Sequence, residues 1–262
     1  MTRRRLELAE APALAPFFRA QRYPLAVYSL LSVMAWRRAD GFEVSYEILD
    51  DLLVLTAEGA GGRHLALPIG ARTPTVPELR AVSERTGCAE YWYAPAEYLA
   101  SLPEDELRAA FAVAERPEWG EYTFLAEDLA ELKGRRLAAK RNLIHQFEKV
   151  YVSEGRAAAG PISRADVDEC AEFLEAWCVE RGCEDAGLQP LECERRAART
   201  ALGEMHELGA EGVAVRVDGR VVGFGIGYRV TKEGDMGLPG LEQSKRSYGP
   251  LFKTAAFSLS LR

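Results

Sequence analysis

The sequence predicts an α+β protein in which mixed sheets are flanked by helices and the chain forms two similar halves. In two separate stretches, apolar residues first recur at helical spacing and then alternate as they do in strands. A charged helical segment at residues 127–151 lies between the two stretches. The pair Asp218-Gly219 separates two β-rich runs and predicts a tight hairpin, because both residues tolerate the positive φ of a type I′ turn. We therefore divide the chain into halves at residues 1–125 and 126–262.

The first half is predicted to begin with a helix and to continue with strands. Leu25, Tyr28, Leu31 and Ala35 follow helical spacing. The segments that follow predict strands at residues 42–49, 52–56, 64–68 and 88–93, and a helix at residues 76–85.

The second half is predicted to repeat this order. Ser163 and Asp166 resemble a capping box at the start of a helix, and a second helix begins at Pro190 and ends near Gly209. The hairpin strands are expected at residues 213–217 and 221–230, followed by a short strand at 235–241, a basic turn, and a last helix with Pro250 in its first turn.

Composition limits the kinds of partner. The 262 residues carry a net charge of −7, so attraction of the whole surface to nucleic acid or to an anionic membrane is not expected, and any anion site must be local. The basic N-terminus lacks the apolar stretch of a secretory signal, which predicts a cytoplasmic protein without a membrane span. The five cysteines include no C-x-x-C pair, so we expect buried thiols and no metal site.

Three alternating glycines form the first candidate binding feature. Gly223, Gly225 and Gly227 share one face of the predicted hairpin strand, which we expect to be central in its sheet. A face without side chains lets another group approach the backbone closely. Either a helix packs on this face or an extended ligand runs beside the strand.

The basic segment contains the second candidate. On a continuous helix, Arg136 and Lys140 fall inside an apolar arc that includes Leu143, Phe147 and Val150. A cation that points towards apolar groups needs an acidic side chain or an anionic ligand, or else its stem must reach the edge of the arc. We expect both side chains to face a cavity or the junction between the halves.

The last segment contains the third candidate. Backbone N–H groups at the start of the predicted last helix, together with Arg246, would form an anion site. Glu242 and Tyr248 flank this turn and are candidates for proton transfer. A structural salt bridge and a packed aromatic ring are the alternative roles of these two residues.

Several of these motifs together resemble a known family. The run Leu132-Lys-Gly-Arg-Arg-Leu-Ala-Ala-Lys-Arg-Asn-Leu-Ile, the earlier Glu127-Asp-Leu, and the run Val217-Asp-Gly-Arg-Val-Val-Gly-Phe-Gly-Ile-Gly are similar to the phosphatidylglycerol lysyltransferase C-terminal-like family. This family includes many uncharacterised bacterial proteins, consists of two tandem GNAT-type acyltransferase folds and is related to the Fem-type aminoacyl transferases. The resemblance spans about residues 23–259.

The resemblance implies a function. It suggests an acyl- or aminoacyltransferase that moves an activated acyl group to an amine or hydroxyl acceptor, with a coenzyme A thioester or an aminoacyl-tRNA as donor and no covalently bound cofactor or metal. In GNAT folds the turn after the fourth strand holds the donor pyrophosphate, and the matching positions in this chain are Gln243, Arg246, Ser247 and Gly249. The alternative is a non-catalytic GNAT-like protein that binds an anionic ligand or a protein partner.

The resemblance also predicts that the second half is truncated. A GNAT half continues with further strands, whereas this chain ends at Arg262, so we expect a sheet edge left open at residues 235–241. Pairing of that edge within the chain gives a monomer, and pairing with a second copy gives a dimer. Pairing within the chain is favoured, because residues 121–125 and 150–154 lie between the halves.

Overall fold

A seven-stranded sheet is the largest unit in the computed structural model of the chain. The structure describes residues 3–37, 42–59, 62–182, 189–227, 232–234 and 239–262. The strands are β1 (Arg4–Arg5), β2 (Glu43–Leu49), β3 (Leu52–Gly59), β4 (Gly62–Leu65), β5 (Glu90–Pro95), β6 (Phe111–Glu115), β7 (Glu121–Thr123), β8 (Ala157–Pro161), β9 (Glu211–Val217), β10 (Arg220–Gly227), β11 (Lys232–Gly234), β12 (Phe252–Thr254) and β13 (Ala256–Leu261). The helices are α1 (Ala11–Ala20), α2 (Leu30–Trp36), α3 (Val76–Thr86), α4 (Ala96–Ala100), α5 (Glu104–Ala110), α6 (Ala126–Glu131), α7 (Ala138–Phe147), α8 (Val167–Arg181), α9 (Gln189–Glu204) and α10 (Pro239–Ser247).

The large sheet has the strand order β1-β2-β3-β4-β5-β13-β6. Its β4–β5 pair is parallel and its other pairs are antiparallel, which confirms the prediction of a mixed sheet in an α+β fold. The main core packs on this sheet and includes the fully buried Tyr28, Leu53, Tyr91 and Phe111. The hydroxyl of Tyr91 donates to the carbonyl of Leu79 at 2.7 Å, so burial of this ring leaves its polar atom satisfied.

The structure also has two three-stranded sheets. One has the order β10-β9-β8 and packs against α8 and α9 around Cys170, Leu202 and Met205. The other has the order β11-β7-β12, so the segment before residue 125 pairs with two later strands. Residues 121–123 thus pair within the chain, as we predicted for this segment, but their partners are β11 and β12 and not the expected strand at residues 235–241, part of which lies outside the described residues. Residues 150–154 do not form the expected strand, because Glu148–Val152 form a π-helical turn.

The local signals of the second half are confirmed. Ser163 and Asp166 form a capping box before α8, and the Ser163 N–H donates to the Asp166 carboxylate at 2.7 Å. Asp218 and Gly219 both have positive φ, at 51° and 78°, and they connect β9 to β10. These features depend on residues close in sequence, which is why the sequence predicts them.

The end of the chain differs from the prediction. Residues 239–247 form a helix and residues 252–261 form strands, whereas we predicted a strand followed by a helix; residues 235–238 lie outside the described residues. The predicted last helix is therefore wrong. Strand β13 pairs with both β5 and β6, so the last residues complete the sheet of the first half. The sheets thus do not follow the division at residue 125.

The basic segment is not one continuous helix. Its first helix, α6, ends just before Leu132, which has a left-handed φ of 48°. Gly134 also has a positive φ, of 86°. A left-handed residue breaks the helical hydrogen-bond ladder, so α7 starts only at Ala138. Arg136 therefore lies outside the helix on which we placed it. None of the described helices has the length and apolar character needed to cross a membrane.

Candidate functional site

A groove of about 910 Å³ lies between the two halves of the fold. Its walls come from the segment around α2, from α9, and from β9 and β10, and they are mostly apolar. Its lining residues are Gln21, Tyr23, Leu25, Ala26, Ser29, Leu31, Ser32, Ala35, Trp36, Glu194, Ala197, Ala198, Ala201, Glu211, Gly212, Val213, Gly225, Ile226 and Gly227. Ligand sites are concave, mainly apolar and furnished with few polar groups, and this groove meets that description.

The alternating glycines contribute one wall of the groove. Gly225 and Gly227 line it, whereas Gly223 does not. A Cβ atom built on any of the three meets no described atom within 4 Å. Within the part of the chain that the structure describes, no helix therefore packs directly on the glycines, and their bare face is open. Our expectation of a central strand is also wrong for the described residues, because β10 is at the edge of its sheet and Gly225 is exposed.

Glu194 gives the groove a carboxyl group that the sequence analysis missed. It lies on the same face of α9 as Ala197, Ala198 and Ala201, at helical spacings of three, four and seven residues. Burial raises the pKa of the Glu194 carboxyl, and the charge of Lys245 on α10 opposes this effect. The signal in the sequence was a single carboxylate on a stripe of small residues, which by itself is also typical of helix packing.

A buried ion pair holds α2 against α9 beside the groove. Arg37 is only 2% exposed, and its guanidinium donates to both carboxylate oxygens of Glu204 at 2.7 Å. It also donates to the carbonyl of Met34 at 2.6 Å. Bidentate pairing fixes both distance and orientation, so this contact joins the two halves and maintains the spacing of the groove walls.

The residues predicted at the basic segment and at the end of α10 come together in a second place, which we call the basic cluster (Arg136, Lys140, Arg246 and Lys253). Arg136 donates to the carbonyl of Gly249 at 3.2 Å. The Lys140 ammonium lies 4.2 Å from the centre of the Tyr248 ring. The structure thus joins two candidate regions that are more than a hundred residues apart in sequence.

Tyr122 and Glu242 hold the rest of the basic cluster. Arg246 donates to Glu242 at 2.9 Å and lies 5.9 Å from the centre of the Tyr122 ring. The ammonium of Lys253 lies 5.0 Å from the same ring and donates to the carbonyl of Pro117 at 3.0 Å. Glu242 and Tyr248 therefore each contact a cation, and neither lines the groove.

The predicted pyrophosphate turn has a different geometry from the expected one. Gln243, Arg246 and Ser247 lie in the second half of α10, and Gly249 follows it, so they are at the C-terminal end of a helix. Carbonyl groups rather than N–H groups point out of that end, and the anion site at a helix N-terminus is wrong. Gln243 is exposed, and the Ser247 hydroxyl donates to the Ser244 carbonyl at 2.5 Å.

The apolar arc of the basic segment is also placed differently. Leu143 is 61% exposed, and Ile144 and Val150 are each 46% exposed. Arg136 is exposed and Lys140 is half-buried, and neither lines the groove. Our expectation that both face a cavity or the junction between the halves therefore stays a prediction, but the two residues do not share one helix. The reason is the break at Leu132, which separates Arg136 from the helix that carries the arc.

Known proteins show the same fold. The chain is similar to a conserved protein of unknown function from Bacteroides thetaiotaomicron VPI-5482, with a TM-score of 0.84 and 22% identity over 98% of each chain. It is also similar to the C-terminal domain of a lysylphosphatidylglycerol synthetase from Agrobacterium fabrum, with a TM-score of 0.62 and 13% identity over 97% of this chain and 92% of that one. No curated protein matches it. Residues 22–236 match the family described as "Phosphatidylglycerol lysyltransferase, C-terminal", and the chain belongs to that family.

Proposed function

We propose that this protein transfers an activated acyl or aminoacyl group to an amine or hydroxyl acceptor. The observation that carries the proposal is the groove, which Glu194 lines together with the bare backbone of Gly225 and Gly227. The family supports a role related to acyl or aminoacyl transfer. The two tandem GNAT-type halves are part of the same proposal.

The proposed reaction needs no nucleophile from the protein, because the donor already carries an activated ester or thioester. The acceptor nitrogen or oxygen attacks the acyl carbon, a C–N or C–O bond forms, and the C–O or C–S bond to the donor breaks. The proton that the acceptor loses passes to the Glu194 carboxylate and then to the leaving oxygen or sulfur. A carboxyl with a raised pKa is the stronger base, which suits Glu194 to this role.

Strand β10 supplies a means to stabilise the developing negative charge. In an antiparallel pair, alternate residues point their N–H and C=O groups away from the partner strand, and β10 pairs with β9 in this way. The absence of side chains at Gly225 and Gly227 lets the acyl oxygen approach such an N–H group.

The basic cluster is proposed as the place for the phosphates of the donor. Arg136, Lys140, Arg246 and Lys253 offer four cations, and Gln243, Ser247 and Gly249 lie in or just after the second half of α10. Glu242 and Tyr248 then position Arg246 and Lys140. Helix α10 links the two regions, because Lys245 acts on Glu194 in the groove and its neighbour Arg246 belongs to the basic cluster.

The test has two parts. Mass spectrometry measures transfer from acyl-coenzyme A, or from aminoacyl-tRNA, to small amines and alcohols by the intact protein and by Glu194→Gln, which we expect to be inactive. Calorimetry measures coenzyme A binding, which Arg246→Ala should weaken, since one charge-assisted contact is lost. Lys149→Ala, a change at an exposed cation outside the cluster, is the control.

The second candidate function is a non-catalytic protein that binds an anionic ligand or a protein partner. The exposure of the cluster residue Arg136, which does not line the groove, favours this alternative. Binding of the anionic donor without transfer to any acceptor supports the second candidate. Absence of both binding and transfer contradicts the transferase proposal.

A further inference from the structure

Strand β10 has one edge that no described strand covers. It is the outermost strand of its sheet, and its residues 221–227 include no charged residue and no proline. The other long edge strands each contain such a residue, Pro161 in β8 and Glu115 in β6, and β1, β11 and β12 are only two or three residues long. Short strands, charges and prolines prevent strand pairing at an edge, and among the described edges of this length β10 lacks that protection.

The hydrogen bonds of β9 show which backbone groups of β10 point away from the sheet. The Ile162 N–H donates to the Gly212 carbonyl at 2.9 Å, so Gly212 points its backbone groups towards β8. Ile226 is directly opposite Gly212 in the antiparallel pair of β9 and β10. The N–H and C=O groups of Ile226 therefore point away from β9, and so do those of Phe224 two residues earlier, because backbone direction alternates along a strand.

The groove provides space beside this edge. Gly225, Ile226 and Gly227 line it, and its volume is about 910 Å³. A Cβ atom built on either glycine meets no described atom within 4 Å. Residues of α2 and α9 form the other walls, so a single extended chain fits this space better than the whole sheet of a second copy does.

Charge and shape restrict the chain that can enter. Among the described lining residues, only Glu194 and Glu211 carry a charge, and both are acidic, so the groove disfavours an acidic segment. A glycine on an edge strand leaves its Cα bare, and an aromatic side chain on the neighbouring strand covers such a glycine well. An aromatic residue is therefore favoured directly opposite Gly225.

We propose that β10 binds an extended peptide segment of a partner protein. The segment pairs antiparallel with β10, exchanges backbone hydrogen bonds with Phe224 and Ile226, and places an aromatic side chain over Gly225. It carries no acidic residue. This proposal goes beyond the proposed function, because it concerns strand pairing with a polypeptide and requires no transfer reaction.

The experiment is a fluorescence-anisotropy titration of the full chain with a labelled pentapeptide, Thr-Val-Phe-Val-Thr, blocked at both ends. When its phenylalanine is opposite Gly225, its two valines bond to Phe224 and Ile226, and the phenylalanine N–H points away from β10. N-methylation of either valine should therefore weaken binding at least about tenfold. N-methylation of the phenylalanine should change the affinity less than about twofold.

A variant of the chain tests where the aromatic ring lies. A peptide with alanine in place of phenylalanine should bind the unchanged chain about fivefold more weakly. Gly225→Val fills the space over the Cα, so it should bind both peptides with similar affinity. Gly160→Val is the matched control and should keep the fivefold preference, because Gly160 lies on β8 at the opposite edge of the sheet and its built Cβ also meets no described atom within 4 Å.

The pattern of N-methyl effects decides the outcome without any change to the protein. Weakening by all three N-methyl groups, by none of them or by the one on phenylalanine alone would overturn the inference. Absence of binding up to about 1 mM would also overturn it, and so would equal binding of a peptide with glutamate in place of both threonines.

Light scattering tests the other possible occupant. A dimer of the chain that the pentapeptide dissociates would show that β10 pairs with a second copy, and it would overturn the assignment to a partner peptide. A monomer that binds the pentapeptide with the expected N-methyl pattern upholds the assignment. Circular dichroism confirms that each variant is folded.

Discussion

The groove and the basic cluster present opposite chemistry within one fold. The groove is an apolar space between the halves with two carboxylates, and the pKa of one of them is shifted by burial. The cluster is a partly exposed set of cations held by aromatic rings and carbonyl groups. A single desolvated charge in the groove interacts strongly with a ligand. In the cluster, solvent weakens the interaction of each cation, so several cations are needed for the same binding energy.

The largest expected effect is a loss of stability when the ion pair between α2 and α9 is broken. Glu204→Gln leaves the buried Arg37 guanidinium without a countercharge, and it should lower the free energy of unfolding by about 3 kcal/mol. Glu207→Gln is the control, because Glu207 pairs with the exposed Arg164 in solvent, and it should cost much less stability. Urea unfolding measures both.

A double variant makes this test sharper. Replacing both Arg37 and Glu204 by apolar residues removes the unpaired charge and should recover stability relative to Glu204→Gln. Equal losses for Glu204→Gln and Glu207→Gln would show that the ion pair between α2 and α9 does not stabilise the groove.

The second prediction compares how the groove and the large sheet contribute to the pH dependence of stability. His64 stacks on Trp92 with ring centres 3.7 Å apart, and burial lowers its pKa from 6.5 to about 4. The unfolded chain therefore binds the proton more readily, so stability is fully present above pH 6.5 and falls as the pH drops towards 4, by at most about 3 kcal/mol. Glu194 acts with the opposite sign, because its raised pKa contributes stability below pH 4.5 that is lost as the pH rises through its folded pKa.

Two variants test these opposite slopes. His64→Phe keeps an aromatic ring on Trp92 and should flatten the loss of stability on acidification. Glu194→Gln should steepen the gain in stability as the pH rises above 4.5. Urea unfolding at several pH values measures both, and an unchanged profile in His64→Phe would contradict the assignment to His64.

Features that depend on neighbouring residues could be predicted from the sequence, and features that depend on distant pairing could not. The Asp218-Gly219 turn and the Ser163 capping box follow from local chemistry. Nothing near Phe257 indicates that β13 pairs with β5, a strand more than 150 residues earlier.

The candidate site shows the same division. The bare face of Gly225 and Gly227 was visible as a period of two, but its position at the edge of a groove required the second wall from α2 and α9. Glu194 was missed because a carboxylate on a helix face cannot be recognised as part of a groove until the opposite wall of that groove is known. The prediction that placed Arg136 on a continuous helix is wrong, because Leu132 adopts a left-handed conformation. Leucine rarely adopts this conformation, so the sequence did not indicate the break.

The third prediction fills the groove without disturbing the fold. Gly225→Val places a side chain where a built Cβ meets no described atom within 4 Å, and valine favours strands, so stability should be retained. The new side chain occupies space that a ligand needs, and we expect binding of the acceptor to weaken about tenfold, or about 1.4 kcal/mol. Gly223→Val, on the same strand but outside the groove, is the matched control. Equal weakening by both variants would contradict the location of the site.

The smallest expected effect tests the basic cluster at its closest contact. Gly249 has a φ of 69°, and a Cβ built on it would overlap the Arg136 guanidinium. Gly249→Ala should therefore cost about 1 kcal/mol of stability from backbone strain, and it should also displace Arg136. Gly87→Ala is the matched control, because Gly87 has a φ of 64° and its built Cβ meets no described atom within 4 Å. Both variants should lose similar stability, but only Gly249→Ala should weaken coenzyme A binding, by about threefold, since solvent screens the contact that it removes. If Gly249→Ala and Gly87→Ala bind coenzyme A equally well, Arg136 does not contact the donor. The donor site would then consist of Lys140, Arg246 and Lys253 without Arg136.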